Sequence, residues 1–376
     1  MTNRVFPEIK KNFGFGLMRL PMNGKEVDIE QTKKMVDAFI ENGFNYFDTA
    51  HGYIDGLSEL AAKECISKRY DRKDFLLVDK LTEPYFDKQE DIKPFFESQL
   101  EACGVDYFDF YLMHAQNAEN FVKFKRCQAY ETALELKKEG KIRHLGISFH
   151  DQAEVLDQIL TEYPQVEIVQ IQFNYLDYYD RGIDSKRVYE VARKHNKPLI
   201  IMEPVKGGNL VNLPDKAKEI LDDLKSNYSY AGYAIRYAAS FDGMEMVLSG
   251  MSNMEQMMDN IKTMKDFVPF NEEEFEAVKK VSDVFHSMDM IPCTACRYCI
   301  EESHCPMGIL IPDMFASLNQ VTGFNDWNQY RYYNTVLTVD HGKASECIKC
   351  GLCERVCPQH LEIRKLLTDV AAKFEG

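Results

Sequence analysis

Four ionisable side chains in the first third of the chain stand where short apolar runs give way to polar residues: Asp48, Tyr53, Lys80 and His114. Asp48 and Tyr53 share the stretch Phe47-Asp48-Thr49-Ala50-His51-Gly52-Tyr53, Lys80 closes Leu76-Leu77-Val78-Asp79-Lys80, and His114 closes Tyr111-Leu112-Met113-His114. Taken one at a time they are ordinary: an aspartate after a strand is a turn or helix cap, a tyrosine packs, a strand-end lysine is solvated, a histidine is structural. Taken together they have a chemistry. A lysine at the end of a buried strand is costly unless paired, and Asp48 is placed to pair with it. A cation beside Tyr53 would bring the phenol pKa down toward working pH and suit it to general-acid work. His114 would then hydrogen-bond a substrate carbonyl oxygen and help stabilise developing negative charge. His51, in the same stretch, is expected to be a bystander.

A second chemistry lies at the other end. Of eleven cysteines, Cys65, Cys103 and Cys127 are scattered and read as ordinary thiols, while the other eight fall between Cys293 and Cys357. The first group reads Cys293-x2-Cys296-x2-Cys299, with Cys305-Pro306 after five intervening residues; the second reads Cys347-x2-Cys350-x2-Cys353-x3-Cys357-Pro358. These are metal spacings and not a disulfide scaffold. The second is the bacterial ferredoxin run in full, in which the fourth cysteine ligates the other cluster. Two such runs imply two 4Fe–4S clusters with crossed ligation, one on Cys293, Cys296, Cys299 and Cys357, the other on Cys347, Cys350, Cys353 and Cys305. Zinc is the competing reading, since C-x2-C pairs also make zinc sites, but zinc requires neither the third cysteine nor the trailing Cys-Pro. The two extra residues before Cys305 alter local geometry more than ligation.

Positioning the first group requires strands with a common end. Candidate strands are 14–20, 45–49, 75–81, 108–114, 144–149, 168–173, 198–203 and 245–250. Helical patterns alternate with them at 30–42, 57–70, 91–103, 130–139, 153–162, 186–194, 228–240 and 254–264. Asn42-Gly43, Cys103-Gly104 and Glu139-Gly140 are glycine helix stops. Eight near-continuous apolar strands, each followed by a helix, are the count of a (β/α)8 TIM barrel, an α/β fold. An open doubly wound sheet would carry G-x-G-x-x-G after its first strand, and Gly14-Phe15-Gly16-Leu17-Met18-Arg19 lacks the third glycine. The expected organisation is a barrel over 1–270, a connecting helix over 271–290, and a small α-rich ferredoxin-like iron–sulfur domain over 291–376. The insert 306–346, with the single Trp327, is expected to supply surface packing or helices over the clusters. Segments 82–90, 115–129, 175–185 and 208–227 read as barrel loops, with Tyr85, Phe86, Phe121, Phe124, Tyr175, Tyr178 and Tyr179 as candidate pocket aromatics.

A barrel of this kind carries its active site at the C-terminal strand ends, where all four ionisable groups fall. The net charge of −15 argues against nucleic acid and anionic membrane surfaces as partners. No apolar run follows Met1-Thr2-Asn3-Arg4 and none reaches the roughly 20 residues a bilayer requires, so a cytoplasmic location is expected.

Asp48, Tyr53, Lys80 and His114, with the contexts Phe-Asp-Thr-Ala at 47–50 and Leu-Gly-Ile-Ser at 145–148, resemble the aldo-keto reductase tetrad over residues 10–265. The resemblance implies hydride transfer between a nicotinamide cofactor, NADP or NAD, and an aldehyde, ketone or alcohol, with Tyr53 as proton donor, Lys80 and Asp48 tuning it, and His114 orienting the substrate. It implies a nicotinamide carboxamide on Ser148 and Gln170, cofactor contacts at Gly207, Gly208, Gly250 and Ser252, and an adenosine end at Gln256 and Asn260. Loops after strands seven and eight bind phosphate in barrels. The stretch 250–260 also reads simply as a capped helix. Gly250 and Gln256 stand where NADP-dependent relatives carry Lys or Arg, Phe149 where Asn is common, and Met202 where an aromatic ring often stacks. Direct hydride transfer needs no metal, so the clusters would exchange single electrons with a redox partner protein or serve structure. An electron-transfer adaptor, or a cofactor-sensing barrel with little turnover, is the rival function.

Overall fold

A computed structural model of the chain describes residues 4–179, 183, 185–288, 290–324 and 327–376. Eight parallel strands close into a barrel: β1 (Phe13–Gly16), β2 (Tyr46–Asp48), β3 (Leu76–Leu81), β4 (Phe108–Gln116), β5 (Ile142–Phe149), β6 (Ile168–Gln172), β7 (Leu199–Met202) and β8 (Met244–Gly250). Each strand pairs with the next in sequence, and β8 pairs with β1 to complete the ring. β1 stops at Gly16 because Leu17–Arg19 winds into a 3-10 turn. A short hairpin, Met22–Asn23 with Glu26–Val27, precedes the first helix.

The barrel interior follows from the two-residue period of a strand. Tyr46, Leu76, Val78, Phe110, Leu112, Ile168, Ile200, Met246 and Leu248 meet in one buried cluster. Glycine supplies clearance where bulky neighbours converge. A Cβ on Gly146 would lie 2.5 Å from Leu112 and 2.8 Å from Ile168, and one on Gly14 would lie 2.6 Å from Leu248. Continuing each inward register by two residues places Asp48 above Tyr46, Lys80 above Val78, His114 above Leu112, Ser148 above Gly146 and Gln170 above Ile168. The apolar layers that fill the barrel thus hand over to a polar layer on the same face.

The helices are set by local chemistry. Asp28 caps Ile29–Glu41 by accepting from the Gln31 N–H, and Asn271 and Glu274 close a reciprocal capping box on Glu272–His286. Gly104 ends Gln89–Cys103 in the left-handed conformation at φ 67°. Two of the expected loops are partly helical: Ala118–Arg126 lies within 115–129 and Asp215–Asp222 within 208–227. Both are under three turns long, too short for their periodicity to stand out. Phe121 and Phe124 lie on the buried face of the first, and Phe86 and Tyr175 are buried as well.

The chain divides into two compact units. The first holds the barrel, in the described residues of 1–180, 184–204 and 231–270. The second combines the described residues of 181–183, 205–230 and 271–376, so it takes in the stretch that follows β7. Its helices include Glu272–His286, which packs with Asp215–Asp222, and Ile311–Phe324 and Ile363–Phe374, which contribute to a core of Ile309, Ile311, Met314, Phe315, Tyr333, Leu367 and Val370, with Cys293, Cys305, Cys347 and Cys357 against it. The two cysteine runs repeat one backbone pattern. Positive φ falls at Ala295 and Lys349, at Arg297 and Gly351, and at Gly308 and His360, matching positions of the two runs. Each run then enters a single helical turn, Tyr298–Glu301 or Leu352–Arg355. Among the described residues no helix is long and apolar enough to cross a membrane.

Candidate active site and cysteine cavities

Lys80 is fully buried, and its Nζ donates to Asp48 Oδ1 at 2.7 Å and to the Thr49 carbonyl at 2.6 Å. Burial pushes the Asp48 carboxyl above its ordinary value and the Lys80 charge opposes that rise. The second Asp48 oxygen, Oδ2, is buried without a hydrogen-bond partner among the described residues. Lys80 Nζ also lies 4.8 Å from the centroid of the Tyr53 ring, on whose other neighbour, His114, the ring sits edge-on at 6.0 Å. Asp48, Tyr53, Lys80 and His114 therefore converge at the C-terminal ends of β2, β3 and β4.

Tyr53 is held by a strained turn. Ile54, Asp55 and Gly56 all have positive φ, at 53°, 51° and 84°. For β-branched Ile54 that is a genuine outlier, of the kind that concentrates at functional sites. The Tyr53 carbonyl accepts from Gly56 and Ser58 N–H groups, and the Ser58 hydroxyl contacts Thr49 Oγ1 at 2.6 Å. His51 is committed elsewhere, with Nδ1 2.9 Å from Glu59.

His114 is held neutral, since burial first, and then the Lys80 charge, push it well below the usual imidazole value. Its Nδ1 lies 2.8 Å from Thr82 Oγ1, while Thr82 Oγ1 lies 3.4 Å from the Lys80 carbonyl. The shorter contact takes the threonine proton, which assigns N–H to Nε2 and leaves that nitrogen as the donor. Sequence reasoning passed over Thr82, although it stands two residues after Lys80 on the same inward face.

Behind Lys80, on the outward face of β3, Asp79 accepts from its own neighbour's N–H at 2.8 Å and from Gln99 Nε2 at 3.1 Å; Gln99 also contacts Glu59 at 3.3 Å. Burial, then the nearby Glu59 charge, holds the Asp79 carboxyl well above its ordinary value. A folded-state pKa above the unfolded one means that the native state binds the extra proton, so stability is full at low pH and is lost as pH rises toward the folded value. Asp79→Asn keeps the Oδ1 acceptor and removes the titration. The variant should show a flatter decline of Tm between pH 5 and 8 than the parent in thermal scans; parallel curves would mean that Asp79 does not titrate there.

The cofactor candidates separate into three groups. Ser148 Oγ accepts from the Ala115 N–H at 2.8 Å, which leaves its own proton for another acceptor. Gln170 Nε2 points to the Met202 sulfur at 3.5 Å, and Gln170 Oε1 is buried with no partner among the described residues. A hydroxyl donor and an orphaned amide acceptor side by side on β5 and β6 are what a carboxamide requires. At the end of β8, Ser252 N donates to Gln256 Oε1 at 2.7 Å, Asn253 caps the helix Met254–Lys265 through the Gln256 N–H, and Asn260 reaches Ser249 Oγ at 3.2 Å. These contacts cap and anchor the helix. Arg19, which sequence reasoning did not single out, packs on Gly250, and its carbonyl accepts from Ser252 Oγ. Its signal was a basic residue three positions past the end of β1. Gly207 and Gly208 belong to the second unit.

There, Gly207 at φ 64° lies against the first cysteine run: a Cβ would meet the Thr294 carbonyl oxygen at 2.2 Å. Asn209 Nδ2 donates to the Cys293 carbonyl at 3.1 Å. Gly207→Ala should cost about 1–3 kcal/mol from overpacking and left-handed strain and lower the iron content of the purified protein. Gly208→Ala meets nothing within 4 Å and serves as the control for φ alone. Equal iron content and Tm in the two variants would remove Gly207 from the packing of this run.

Two cavities sit in the second unit. One is lined by Cys293, Cys296, Cys299 and Cys357, with Gln359 and Phe315. The other is lined by Cys305, Cys347, Cys350 and Cys353, with Met307 and Arg364. Three cysteines of each run thus face the same space as the Cys-Pro cysteine of the opposite run. Of the eight, Cys350 is the exposed one. Cys65, Cys103 and Cys127 are buried thiols elsewhere.

A closed parallel barrel with a buried Lys–Asp pair, tyrosine and neutral histidine at its C-terminal strand ends is an oxidoreductase scaffold. The Aldo/keto reductase family profile matches residues 12–283, and the chain belongs to that family. A second profile, the 4Fe-4S dicluster domain, matches residues 292–361. The uncharacterized oxidoreductase YqkF of Bacillus subtilis (strain 168) is 25% identical over 61% of this chain and 80% of its own length. The NADH-specific methylglyoxal reductase of Escherichia coli (strain K12) is 28% identical over 36% of this chain and 45% of its own. The chain also matches about half the length of several mycobacterial aldo-keto reductases. Among solved structures, an aldo-keto reductase from Klebsiella pneumoniae in complex with NADPH superposes with a TM-score of 0.60 at 20% identity, over 72% of this chain and 90% of that one. The holo form of an aldo-keto reductase from Bacillus halodurans gives 0.58 at 24% identity, over 72% and 91%.

Proposed function

We propose that the barrel reduces an aldehyde or ketone, or oxidises the alcohol, by direct hydride transfer with NADP or NAD, and that Tyr53 delivers the proton. The observation that carries this reading is Lys80: fully buried, paired with Asp48 at 2.7 Å, and 4.8 Å from the Tyr53 ring. A bound reduced nicotinamide supplies the hydride to the carbonyl carbon. The chain supplies the rest. His114 Nε2–H and the Tyr53 hydroxyl converge on the carbonyl oxygen, and negative charge growing there draws the phenol proton across. The Lys80 cation stabilises the phenolate left behind, and Asp48 holds that cation in place. His114 stays neutral, so it orients without competing as an acid. The orphaned Gln170 Oε1 and the Ser148 hydroxyl fit the two ends of a carboxamide, and so set which face of the ring meets the substrate. The names of relatives point both ways on the cofactor, and Gly250 and Gln256 offer no cation to a 2′-phosphate, whereas Arg19 stands against Gly250.

We propose further that the second unit holds two 4Fe–4S clusters with crossed ligation, and exchanges single electrons with a redox partner through the cavity that carries exposed Cys350. The donor sets fit. Each cavity presents four thiol-bearing residues, and among the described residues no three His, Cys, Asp or Glu side chains are placed to hold a single ion. Crossed ligation makes a pairing test possible. Cys293→Ala and Cys357→Ala, though 64 positions apart (357 − 293), should abolish the same EPR signal, and Cys353→Ala and Cys305→Ala the other. Loss of different signals from Cys293→Ala and Cys357→Ala would contradict it. Cofactor sensing without turnover is excluded if NADPH or NADH is oxidised with a panel of aldehydes.

A further inference from the structure

The two cysteine cavities repeat one backbone but not one surface. Of the described residues that line the first, none is exposed. The second is lined by exposed Pro306, Met307, Ile348, Cys350 and Arg364. Ile348 stands out among them, an aliphatic side chain that is 60% exposed. One exposed aliphatic residue is ordinary on a protein surface. Ile348, however, shares its cavity with exposed Met307 and with Cys350, the exposed member of the eight clustered cysteines.

The charge around this cavity runs against that of the chain. Residues 347–365 carry Lys349, Arg355, Arg364 and Lys365 against Glu354 and Glu362, a net of +2 with histidine neutral. Both carboxylates are engaged within the segment, Glu354 with Arg364 at 2.7 Å and Glu362 with Lys365 at 3.4 Å. All four cations are exposed. Lys349 stands between the lining residues Ile348 and Cys350, and Arg355 closes the turn Leu352–Arg355 that brings Leu352 and Cys353 to the cavity. Residues 293–311, around the first run, carry Arg297 against Glu301 and Glu302, a net of −1, and the whole chain carries −15. A local excess of cations on an anionic protein orients an anionic partner, which is repelled elsewhere and attracted here. Apolar residues with methionine at the centre and charge at the edge are also the anatomy of a protein interface.

We propose that this face is the docking surface for an acidic one-electron carrier protein, seated on Ile348 and Met307 and steered by Lys349 and Arg355. The proposal rests on the two-cluster reading above. Each encounter moves one electron and no proton: the carrier is oxidised by one electron as the second site is reduced by one, or the reverse. A basic carrier would be steered instead to the carboxylates that predominate over the chain as a whole. Transient electron-transfer contacts are small, which suits a seat of two apolar side chains.

The test is anaerobic binding of the full-length, iron-loaded protein to a plant-type 2Fe–2S ferredoxin, an acidic carrier, by isothermal titration calorimetry at low and at high salt. Wild type should bind at low salt and weaken as salt rises. Lys349→Glu with Arg355→Glu should weaken binding at low salt by about tenfold or more and flatten the salt dependence. Ile348→Ser should weaken it at both salt concentrations. Iron content equal to wild type shows that the charge-reversed variant has kept its sites, and that variant decides the matter if Ile348→Ser loses iron. A ferredoxin that does not bind, or an affinity that charge reversal leaves unchanged, would overturn the proposal. Self-association of the protein that Ile348→Ser abolishes would overturn it too, by giving the face to a second copy. Wild-type protein without iron would overturn the two-cluster reading itself.

Discussion

Tyr53→Phe should lower kcat for aldehyde reduction by roughly 10²–10⁴, the range of a positioned general acid, while nicotinamide binding and Tm stay near those of the parent. The expectation follows from where the hydroxyl is and what lies beneath it. Tyr53 is anchored through its backbone by the Ile54–Gly56 turn, and its ring faces Lys80 at 4.8 Å and His114 at 6.0 Å. Removing one oxygen leaves those ring contacts intact. A rate within a fewfold of wild type would mean that another group delivers the proton.

Lys80→Met should be more severe, because it removes both a catalytic charge and the partner of a buried carboxylate. Breaking a buried pair by deleting one member typically costs about 3–5 kcal/mol. Here Asp48 would be left with Oδ2 already unpartnered and Oδ1 newly so. The double variant Asp48→Asn with Lys80→Met should recover most of the lost stability, since replacing both charges is often neutral, but none of the activity. Chemical denaturation measures the first and steady-state rates the second. Recovered activity in the double variant would show that Lys80 matters only for folding.

Much of the barrel was legible because its strands are covered on both faces and so read as unbroken apolar runs. The convergence of Asp48, Lys80 and His114 was legible because the inward period of two carries each strand from Tyr46, Val78 or Leu112 to Asp48, Lys80 or His114. The spacing of the two runs suggested how their cysteines group, and the two cavities are lined by those same groups. What was missed was missed for physical reasons. Thr82 and Gln99 act through hydrogen bonds to site residues, which no local pattern announces. Phe121 and Phe124 lie on a helix of nine residues, whose period is too brief to separate from an aromatic loop. Gly207 and Gly208 read as a phosphate loop after β7; that the backbone at Gly207 also meets Thr294 was not legible, because the chain composition around it does not say which neighbour comes close.

The central claim is direct hydride transfer in the barrel, and isotopic labelling tests it without reference to the clusters. The purified, cluster-loaded protein would be given NADPH or NADH deuterated at C4, with 4-nitrobenzaldehyde as the carbonyl probe, and the alcohol analysed by mass spectrometry. Deuterium on the carbinol carbon, from one face of the nicotinamide only, is the expected result. Alcohol formed with its new hydrogen drawn from solvent would show that electrons leave the cofactor singly, and the hydride site described here would be wrong.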